Sequence, residues 1–157
     1  MAEFEDAFPE IVPETLPPQR KISHHIAIKD EQAIKTLPTY TGPERYMSLL
    51  KDWLDRKEQE GVIYRTETPG AAPLFVQPKT DGRIRLLVDL TAQNSNTVKD
   101  DVPIPNQKQI LNAIGRAKYR SKIDLSDAYF QTRVRKEDEK YNTFKTPFGR
   151  FASRVML

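Results

Sequence analysis

The chain has 157 residues, of which 38% are hydrophobic and 30% charged, and it contains no cysteine. The length suggests one domain, or a core with a tail. No apolar run of about 18 residues occurs, which argues against a transmembrane helix, and the acidic start MAEFEDAFPE lacks the apolar stretch of a secretory signal. The lack of cysteine excludes a disulfide scaffold and any thiolate metal site, and favours an intracellular protein of the cytoplasm or nucleus with no membrane partner.

The net charge of +3 averages two unlike halves of the chain. Residues 1–78 carry 9 Lys/Arg and 13 Asp/Glu, a net charge of −4, whereas residues 79–157 carry 16 Lys/Arg and 9 Asp/Glu, a net charge of +7. A basic half suits a polyanionic partner, because each cation beside a phosphate releases condensed counterions. A solvated basic face without a partner is the alternative.

Proline is concentrated at the N-terminal side, where residues 1–43 hold six of the twelve prolines. Because proline fixes φ and removes a backbone donor, we expect residues 1–42 to form an extended arm, with one short strand over residues 21–28. His24 and His25 would point to opposite faces of that strand, which disfavours a shared metal ion.

The first helix is predicted over residues 42–60. Thr41 and Glu44 form a capping box, and Gly61 supplies the C-terminal stop. An apolar stripe at helical spacing predicts the buried face; its members are Tyr46, Leu49, Leu50, Trp53 and Leu54.

A β-hairpin follows, with strands at residues 74–76 and 84–90. The Asp81-Gly82 pair between two apolar runs is a strong hairpin signal. Basic side chains gather at its tip; they are Lys79, Arg83 and Arg85.

Residues 91–105 are polar and rich in proline, which predicts a loop. A short helix is predicted over residues 107–114, ended by Gly115. Its inward face would carry Ile110, Leu111 and Ile114.

The last third of the chain predicts short strands. The first covers residues 119–125 and ends near Asp124, and residues 126–130 form a tight turn into a short helix. Further strands are predicted at 132–135, 141–146 and 151–156, separated by an acidic turn and by Pro147-Phe148-Gly149. The fold class is therefore α+β, with a largely antiparallel sheet and few helices.

Asp124 is the candidate for chemistry. A carboxylate at a strand end beside a helix N-terminus can hold a divalent cation, while the exposed N–H groups of the helix hold phosphate oxygens. Nucleotidyl transfer with Mg²⁺ needs this geometry. The alternative is a helix cap formed by Asp124 or Ser126 without a metal.

The order of the segments is more specific than any one of them. In sequence they are Asp81-Gly82, Arg85, Val88-Asp89, Asn94, Pro103-Ile104-Pro105, Ala117 to Leu125, Ala128-Tyr129-Phe130-Gln131, Lys140-Tyr141, Phe144, Thr146, Gly149 and Val155-Met156. This series closely resembles the reverse transcriptases of LTR retrotransposons, especially the Ty3/gypsy class, and more distantly the retroviral enzymes. The resemblance covers nearly the whole chain. It implies that residues 43–157 are the fingers and the first part of the palm.

The resemblance implies roles for the residues around Asp124. Asp124 matches the first metal-binding aspartate of the palm, and the Leu125 carbonyl would be a second ligand to Mg²⁺. The backbone N–H groups of Asp127 and Ala128 would cradle the β- and γ-phosphates of the nucleotide. Tyr129 resembles the aromatic gate that rejects a ribose 2′-OH by steric clash.

The resemblance also implies roles for side chains further from Asp124. Phe130 and Gln131 would support the nucleotide pocket, and the hairpin cations Lys79 and Arg85 would fold onto the triphosphate. Each assignment has an alternative: Tyr129 as a core residue, Lys79 and Arg85 as a solvated hairpin tip, and Gln131 as a sheet-surface residue.

The chain also departs from the family pattern. It reads Val88-Asp89-Leu90-Thr91 where the family usually reads Val-Asp-Tyr/Phe-Arg, and Gln77-Pro78-Lys79 where a Lys-rich approach is usual. It stops at Met156-Leu157, before the aromatic-x-Asp-Asp turn that supplies the remaining metal carboxylates in the family. Its one Asp-Asp pair, Asp100-Asp101, lies in a polar loop. Two-metal catalysis needs more carboxylates than Asp124 alone.

Three functional hypotheses follow. The first is a fragment of a retrotransposon RNA-directed DNA polymerase, whose intact form adds dNTPs to a primer on a template with Mg²⁺; the fragment alone would be inactive, and Mg²⁺ binding by it is doubtful. The second is a non-catalytic relic that binds nucleic acid through its basic half. The third is a protein-interaction module that self-associates through an exposed palm edge.

Overall fold

The structure, a computed structural model, describes residues 15–39, 42–79, 84–125 and 127–157. One five-stranded sheet organises this part of the chain, in the order β1-β5-β4-β2-β3. The strands are β1 (Ile63–Arg65), β2 (Ala72–Pro78), β3 (Ile84–Val88), β4 (Thr143–Thr146) and β5 (Gly149–Ser153). Three of the four pairings are antiparallel and β2 runs parallel to β4. The predicted α+β fold with a largely antiparallel sheet and few helices is confirmed.

The first helix forms close to its predicted position. A 3₁₀ turn at Glu44–Tyr46 leads into α1, Met47–Gln59. Gly61 ends the helix with φ of +71°, a conformation that glycine adopts without a Cβ penalty. Thr41 of the predicted capping box lies outside the described residues.

The core lies between α1 and one face of the sheet. Phe144 and Phe151 stack across the β4–β5 pair with ring centroids 5.7 Å apart. Full burial of such a side chain stabilises the fold by roughly 1.5–3 kcal/mol. Leu49 was predicted to join this core, but it is 42% exposed. The buried cluster comprises Leu50, Leu54, Val62, Ile63, Leu74, Phe144, Phe151 and Val155.

The predicted hairpin is confirmed as the antiparallel pair β2–β3. The side chains on one of its faces pack against the core, namely Val76, Leu86 and Val88. Because side chains alternate along a strand, Arg85 and Leu87 take the opposite face and are exposed. The Asp81-Gly82 turn lies outside the described residues.

The connection after the hairpin holds more helix than the sequence predicts. A short helix α2, Thr91–Ser95, forms inside the predicted loop at 91–105. Gln93 fastens it to the body, because its side-chain amide donates to the Tyr141 carbonyl oxygen at 2.8 Å. The loop prediction is therefore wrong at residues 91–95.

The next helix, α3 (Gln107–Arg116), forms as predicted and continues one residue past Gly115. Asn106 caps it by accepting from the N–H groups of Lys108 and Gln109. The prediction that its apolar face points inward is wrong. That face is 46–58% exposed and consists of Ile110, Leu111 and Ile114.

The strand predicted at residues 119–125 does not form; the backbone there has no regular structure. Every residue from 98 to 125 is exposed. A strand exists only where its N–H and C=O groups find a neighbouring strand. The five-stranded sheet is completed by other segments, so this stretch has no strand partner within the described chain.

The remaining C-terminal predictions are confirmed in part. The strands predicted at 141–146 and 151–156 correspond to β4 and β5, but residues 132–135 form only isolated bridges, through Arg133 and Val134. The predicted acidic turn is a 3₁₀ helix, Lys136–Tyr141.

The described part of the N-terminal arm lies along the body. The strand predicted at 21–28 is reduced to two isolated bridges, His24 with Val134 and Ile28 with Thr97. Among the helices that the structure describes, none is long and apolar enough to cross a membrane.

Candidate nucleotide and nucleic-acid interface

Asp124 and Leu125 lie at the end of the exposed stretch described above. Leu125 is 73% exposed, and Asp124 is exposed as well. The sequence predicted that the Asp124 carboxylate lies at the end of a strand. In the structure, Asp124 lies in a segment without regular secondary structure. Both the Asp124 carboxylate and the Leu125 carbonyl are hard oxygen donors of the kind that Mg²⁺ prefers.

The predicted Mg²⁺ site names two oxygen donors, the Asp124 carboxylate and the Leu125 carbonyl, and both belong to exposed residues. Among the described residues, no group of three or more His, Cys, Asp or Glu side chains could hold a metal ion. Asp100 and Asp101 are exposed in the stretch 98–125 and form no such group with Asp124. A Mg²⁺ ion held there would neutralise charge on phosphate oxygens. The chain's own contribution is the placement of oxygen donors.

The segment after Asp124 is a turn, not the predicted short helix. Asp127 adopts φ of +48°, and the Gln131 N–H donates to the carbonyl oxygens of Asp127 and Ala128 at 3.2 Å. The N–H groups of Asp127 and Ala128 donate to no residue within the described ranges. Both residues are exposed, and the phosphate cradle stays a prediction. Ser126 lies outside the described residues.

Tyr129 and Phe130 divide the turn into an exposed side and a packed side. Tyr129 is 65% exposed, so the alternative of a core residue is wrong. Phe130 packs edge-to-face on Trp53, with ring centroids 6.5 Å apart and planes at 82°, and Lys57 Nζ lies 5.9 Å from its ring. Phe130 therefore anchors the turn to α1. Gln131 follows it and is half-buried.

The two hairpin cations, Lys79 and Arg85, lie on or beside the paired strands β2 and β3. Arg85 pairs in register with Gln77, and Lys79 follows the end of β2. Both cations are exposed, and neither forms an ion pair with a described residue. No hydrogen bond or ion pair in the described chain joins them to the turn at Asp127. Among the described residues, the structure therefore shows no direct bond between the hairpin cations and the segment at Asp124.

Thr91, the departure from the family pattern, has a local structural role. Its N–H donates to Oδ1 of Asp89 at 3.0 Å, where α2 begins. Hydrogen bonds from the Thr91 side chain and backbone lower the pKa of Asp89 below its usual value.

The two histidines connect the arm to the body. His25 Nδ1 lies 2.6 Å from Oδ2 of Asp138. His24 is half-buried, and burial lowers its pKa; the charge of Asp138 opposes that shift and His25 adds to it. The sequence did not predict this role of Asp138, because the residue lies in an acidic run 113 positions from His25 and no local pattern relates the two.

Three further cations were also missed: Arg20, Lys21 and Arg133. They line one cleft between the arm and the turn at residues 131–133. The charges of Arg20 and Lys21 are adjacent in sequence, but Arg133 joins them only through the fold.

Comparison with known proteins supports the resemblance. The chain is 30% identical over 155 residues to the transposon Tf2-3 and Tf2-4 polyproteins of Schizosaccharomyces pombe. The alignments cover 98% of this chain and 12% of each polyprotein, so the chain spans about an eighth of these relatives. The predicted resemblance to LTR-retrotransposon proteins of the Ty3/gypsy class is confirmed. No family model matches the chain.

Solved structures match the fold over almost the whole chain. A prototype foamy virus protease-reverse transcriptase matches with a TM-score of 0.81 and 20% identity, covering 99% of this chain and 21% of that one. A foamy viral protease-reverse transcriptase in complex with an RNA/DNA hybrid has a TM-score of 0.73 at 21% identity, over 90% of this chain and 20% of that one. Another foamy viral protease-reverse transcriptase, in complex with double-stranded DNA, has a TM-score of 0.69 at 22% identity. That match covers 88% of this chain and 24% of the other. The fold is that of a segment of a protease-reverse transcriptase.

Proposed function

We propose that the chain is the fingers and first part of the palm of an LTR-retrotransposon reverse transcriptase, with residues 1–42 as an N-terminal arm ahead of residues 43–157. The observation that carries the proposal is the fold match over 99% of the chain to a protease-reverse transcriptase, together with the similarity to Tf2 polyproteins over 98% of it. The intact enzyme would work inside the cell, in the cytoplasm or nucleus.

In the intact enzyme, the groups around Asp124 would bind the incoming nucleotide. Asp124 and the Leu125 carbonyl would hold Mg²⁺, and the free N–H groups of Asp127 and Ala128 would bind phosphate oxygens. Tyr129, which is 65% exposed, would contact the sugar of the incoming dNTP. Its exposure supports this role, because a buried ring could not meet a substrate.

The hairpin would supply positive charge to the same nucleotide. Lys79 and Arg85 are exposed and unpaired with described carboxylates, so their charges are available to a triphosphate or a template phosphate. Phe130 and Gln131 would support the nucleotide pocket, and Phe130 holds the turn at residues 127–131 against Trp53 of α1. Binding of an RNA or DNA template-primer is consistent with the net charge of +7 over residues 79–157.

The 157-residue chain alone should not polymerise, because Asp124 is its one candidate palm carboxylate and two metal ions need more. The test is primer extension on a primed RNA template with Mg²⁺ and dNTPs. We expect no extended product. Incorporation that Asp124→Asn abolishes would overturn this part of the proposal.

Template binding can be tested without catalysis. Fluorescence anisotropy with a labelled primer-template should show affinity that falls steeply with salt. Lys79→Ala combined with Arg85→Ala should weaken binding several-fold at low salt. Lys51→Ala is the control, since Lys51 is an exposed α1 residue paired with Asp55. If the hairpin variant binds as tightly as the control, the hairpin is not a contact.

The coding sequence past Leu157 separates an intact polymerase from a relic. An open frame that continues into an aromatic-x-Asp-Asp turn would support the polymerase. A stop codon at that point would favour a non-catalytic nucleic-acid-binding module.

The exposed apolar face of α3 favours a second candidate, a self-associating interaction module. Ile110 and Ile114 are 46% and 48% exposed, and water-exposed apolar faces of this kind favour association. Sedimentation velocity should then show association that Ile110→Gln with Ile114→Gln removes. A monomer at every concentration would count against this candidate and against the predicted palm edge as an interface.

A further inference from the structure

A basic cleft separates the N-terminal arm from the turn at residues 131–133. Its volume is about 410 Å³, within the usual range of ligand sites of about 300–1,000 Å³. Arg20 and Lys21 line one side, and Gln131, Thr132 and Arg133 line the other. The cleft therefore combines three cationic side chains with two polar side chains.

Arg133 is the most constrained of the three cations. Its Nη1 donates to the Pro17 carbonyl oxygen at 3.1 Å, which holds the guanidinium against the arm. Its Nε is buried and has no hydrogen-bond partner among the described residues. A buried donor without an acceptor costs free energy, so the position of this guanidinium is set by its bond to the arm and not by Nε.

The charges of the cleft are not neutralised by the described chain. Arg20 and Lys21 are exposed, and neither forms an ion pair with a described residue. The described residues that line the cleft include no carboxylate. Guanidinium and ammonium groups in this arrangement favour phosphate oxygens, which accept several charge-assisted hydrogen bonds.

The cleft continues into a longer groove. A second cleft of about 730 Å³ shares Ile22 and Thr132 with the first and runs along the arm to Lys99 and Asp100. Positive charge is therefore concentrated at the Arg20 end, while the groove extends past one phosphate-sized site. An extended groove with a basic end suits a strand of nucleic acid better than a free phosphate.

We propose that the cleft formed by Arg20, Lys21 and Arg133 binds a backbone phosphate of a single-stranded nucleic acid that runs along the arm. The proposal rests on the proposed function for its class of partner. It assigns a further contact to the arm and the 131–133 turn, in addition to the hairpin contact of the proposed function.

The test is fluorescence anisotropy of the full chain with a labelled 12-nucleotide RNA over a range of salt concentrations. Arg20→Gln with Lys21→Gln should weaken binding about tenfold at low salt and reduce the slope of log affinity against log salt by about 0.7, for one lost phosphate contact on a single strand. Lys35→Gln with Lys51→Gln removes the same net charge at exposed positions outside the cleft, and should change the slope by less than half as much. Equal effects of the two double variants would overturn the proposal.

Two further measurements distinguish a free phosphate ligand from a nucleic-acid strand, and the cleft proposal from the hairpin proposal. Calorimetric titration with tripolyphosphate tests the free ligand; if Arg20→Gln with Lys21→Gln weakens tripolyphosphate but not RNA, the strand assignment is wrong. If Lys79→Ala with Arg85→Ala leaves RNA binding unchanged while the cleft variant weakens it, the hairpin role fails and the cleft stands. If the hairpin variant alone weakens binding, the cleft is overturned and the proposed function survives.

Discussion

His25 Nδ1 lies 2.6 Å from Oδ2 of Asp138, although 113 positions separate the two residues. The same carboxylate oxygen accepts the N–H of Ile26 at 3.0 Å. Asp138 is only 4% exposed, so its charge is satisfied by the arm and not by water. The arm is thereby fastened to the 3₁₀ helix Lys136–Tyr141, and the same arm forms one wall of the basic cleft.

Asp138→Asn should lower the free energy of unfolding by about 1–3 kcal/mol, because a neutral amide accepts more weakly from His25 and the Ile26 N–H. Urea denaturation followed by circular dichroism measures the change. Glu137→Gln is the control, since Glu137 is exposed and should stay within about 0.5 kcal/mol of the original chain. Equal stability of the two variants would show that the Asp138 contacts do not hold the arm.

Stability should fall as the pH drops below about 6.5. Burial lowers the pKa of His24 from its usual 6.5. The charge of Asp138 acts to raise this pKa, and His25 acts to lower it further. The unfolded chain therefore holds the His24 proton more tightly, so this contribution is complete above pH 6.5 and is lost as the pH falls through 6.5 towards the lowered value. Urea midpoints between pH 8 and pH 5 measure it. His24→Gln should flatten the change over that range, and an unaltered pH profile in that variant would rule out His24 as its source.

Gly70→Ala should destabilise the chain by about 2–4 kcal/mol. Gly70 has φ of +87°, and an added Cβ would lie 1.9 Å from Cγ2 of Ile34 on the arm. Gly115→Ala is the matched control, because nothing lies within 4 Å of its Cβ position and alanine favours a helix by roughly 0.5–1 kcal/mol. Thermal melting of both variants measures the difference. Comparable melting temperatures would mean that Ile34 of the arm does not clash with a side chain at position 70. Adding Ile34→Ala to Gly70→Ala should recover the part of the loss that comes from the clash.

Phe130→Ala and Tyr129→Ala should differ sharply, although the residues are neighbours. Phe130 packs on Trp53, so its truncation should cost about 2 kcal/mol in urea denaturation, for a half-buried aromatic ring. Tyr129 is 65% exposed, and its truncation should stay within about 0.5 kcal/mol. A large loss for Tyr129→Ala would return that ring to a structural role and remove support for its contact with substrate.

Local sequence specified the hairpin and α1, which the structure contains. The hairpin and α1 follow from alternation and helical spacing within a few residues, and the register Gln77 with Arg85 follows from the short connection. The predicted strand at 119–125 failed because pairing depends on a neighbour elsewhere in the chain, which no local pattern encodes. The apolar face of α3 was read as buried for the same reason: amphipathicity shows which face is apolar but not whether anything covers it.

The site divides in the same way. The sequence by itself determined the order of the polymerase-like segments, the candidate metal ligand Asp124, the exposed cations of the hairpin and the basic character of the second half. Only the tertiary structure decided that Phe130 anchors its turn through Trp53, that Asp138 holds the arm, and that Arg133 meets Arg20 and Lys21 in one cleft. The reason is physical. These contacts join residues more than 70 positions apart. Docking of the arm buries polar groups that must find partners across the fold, and Phe130 meets Trp53 because the fold brings two apolar rings together.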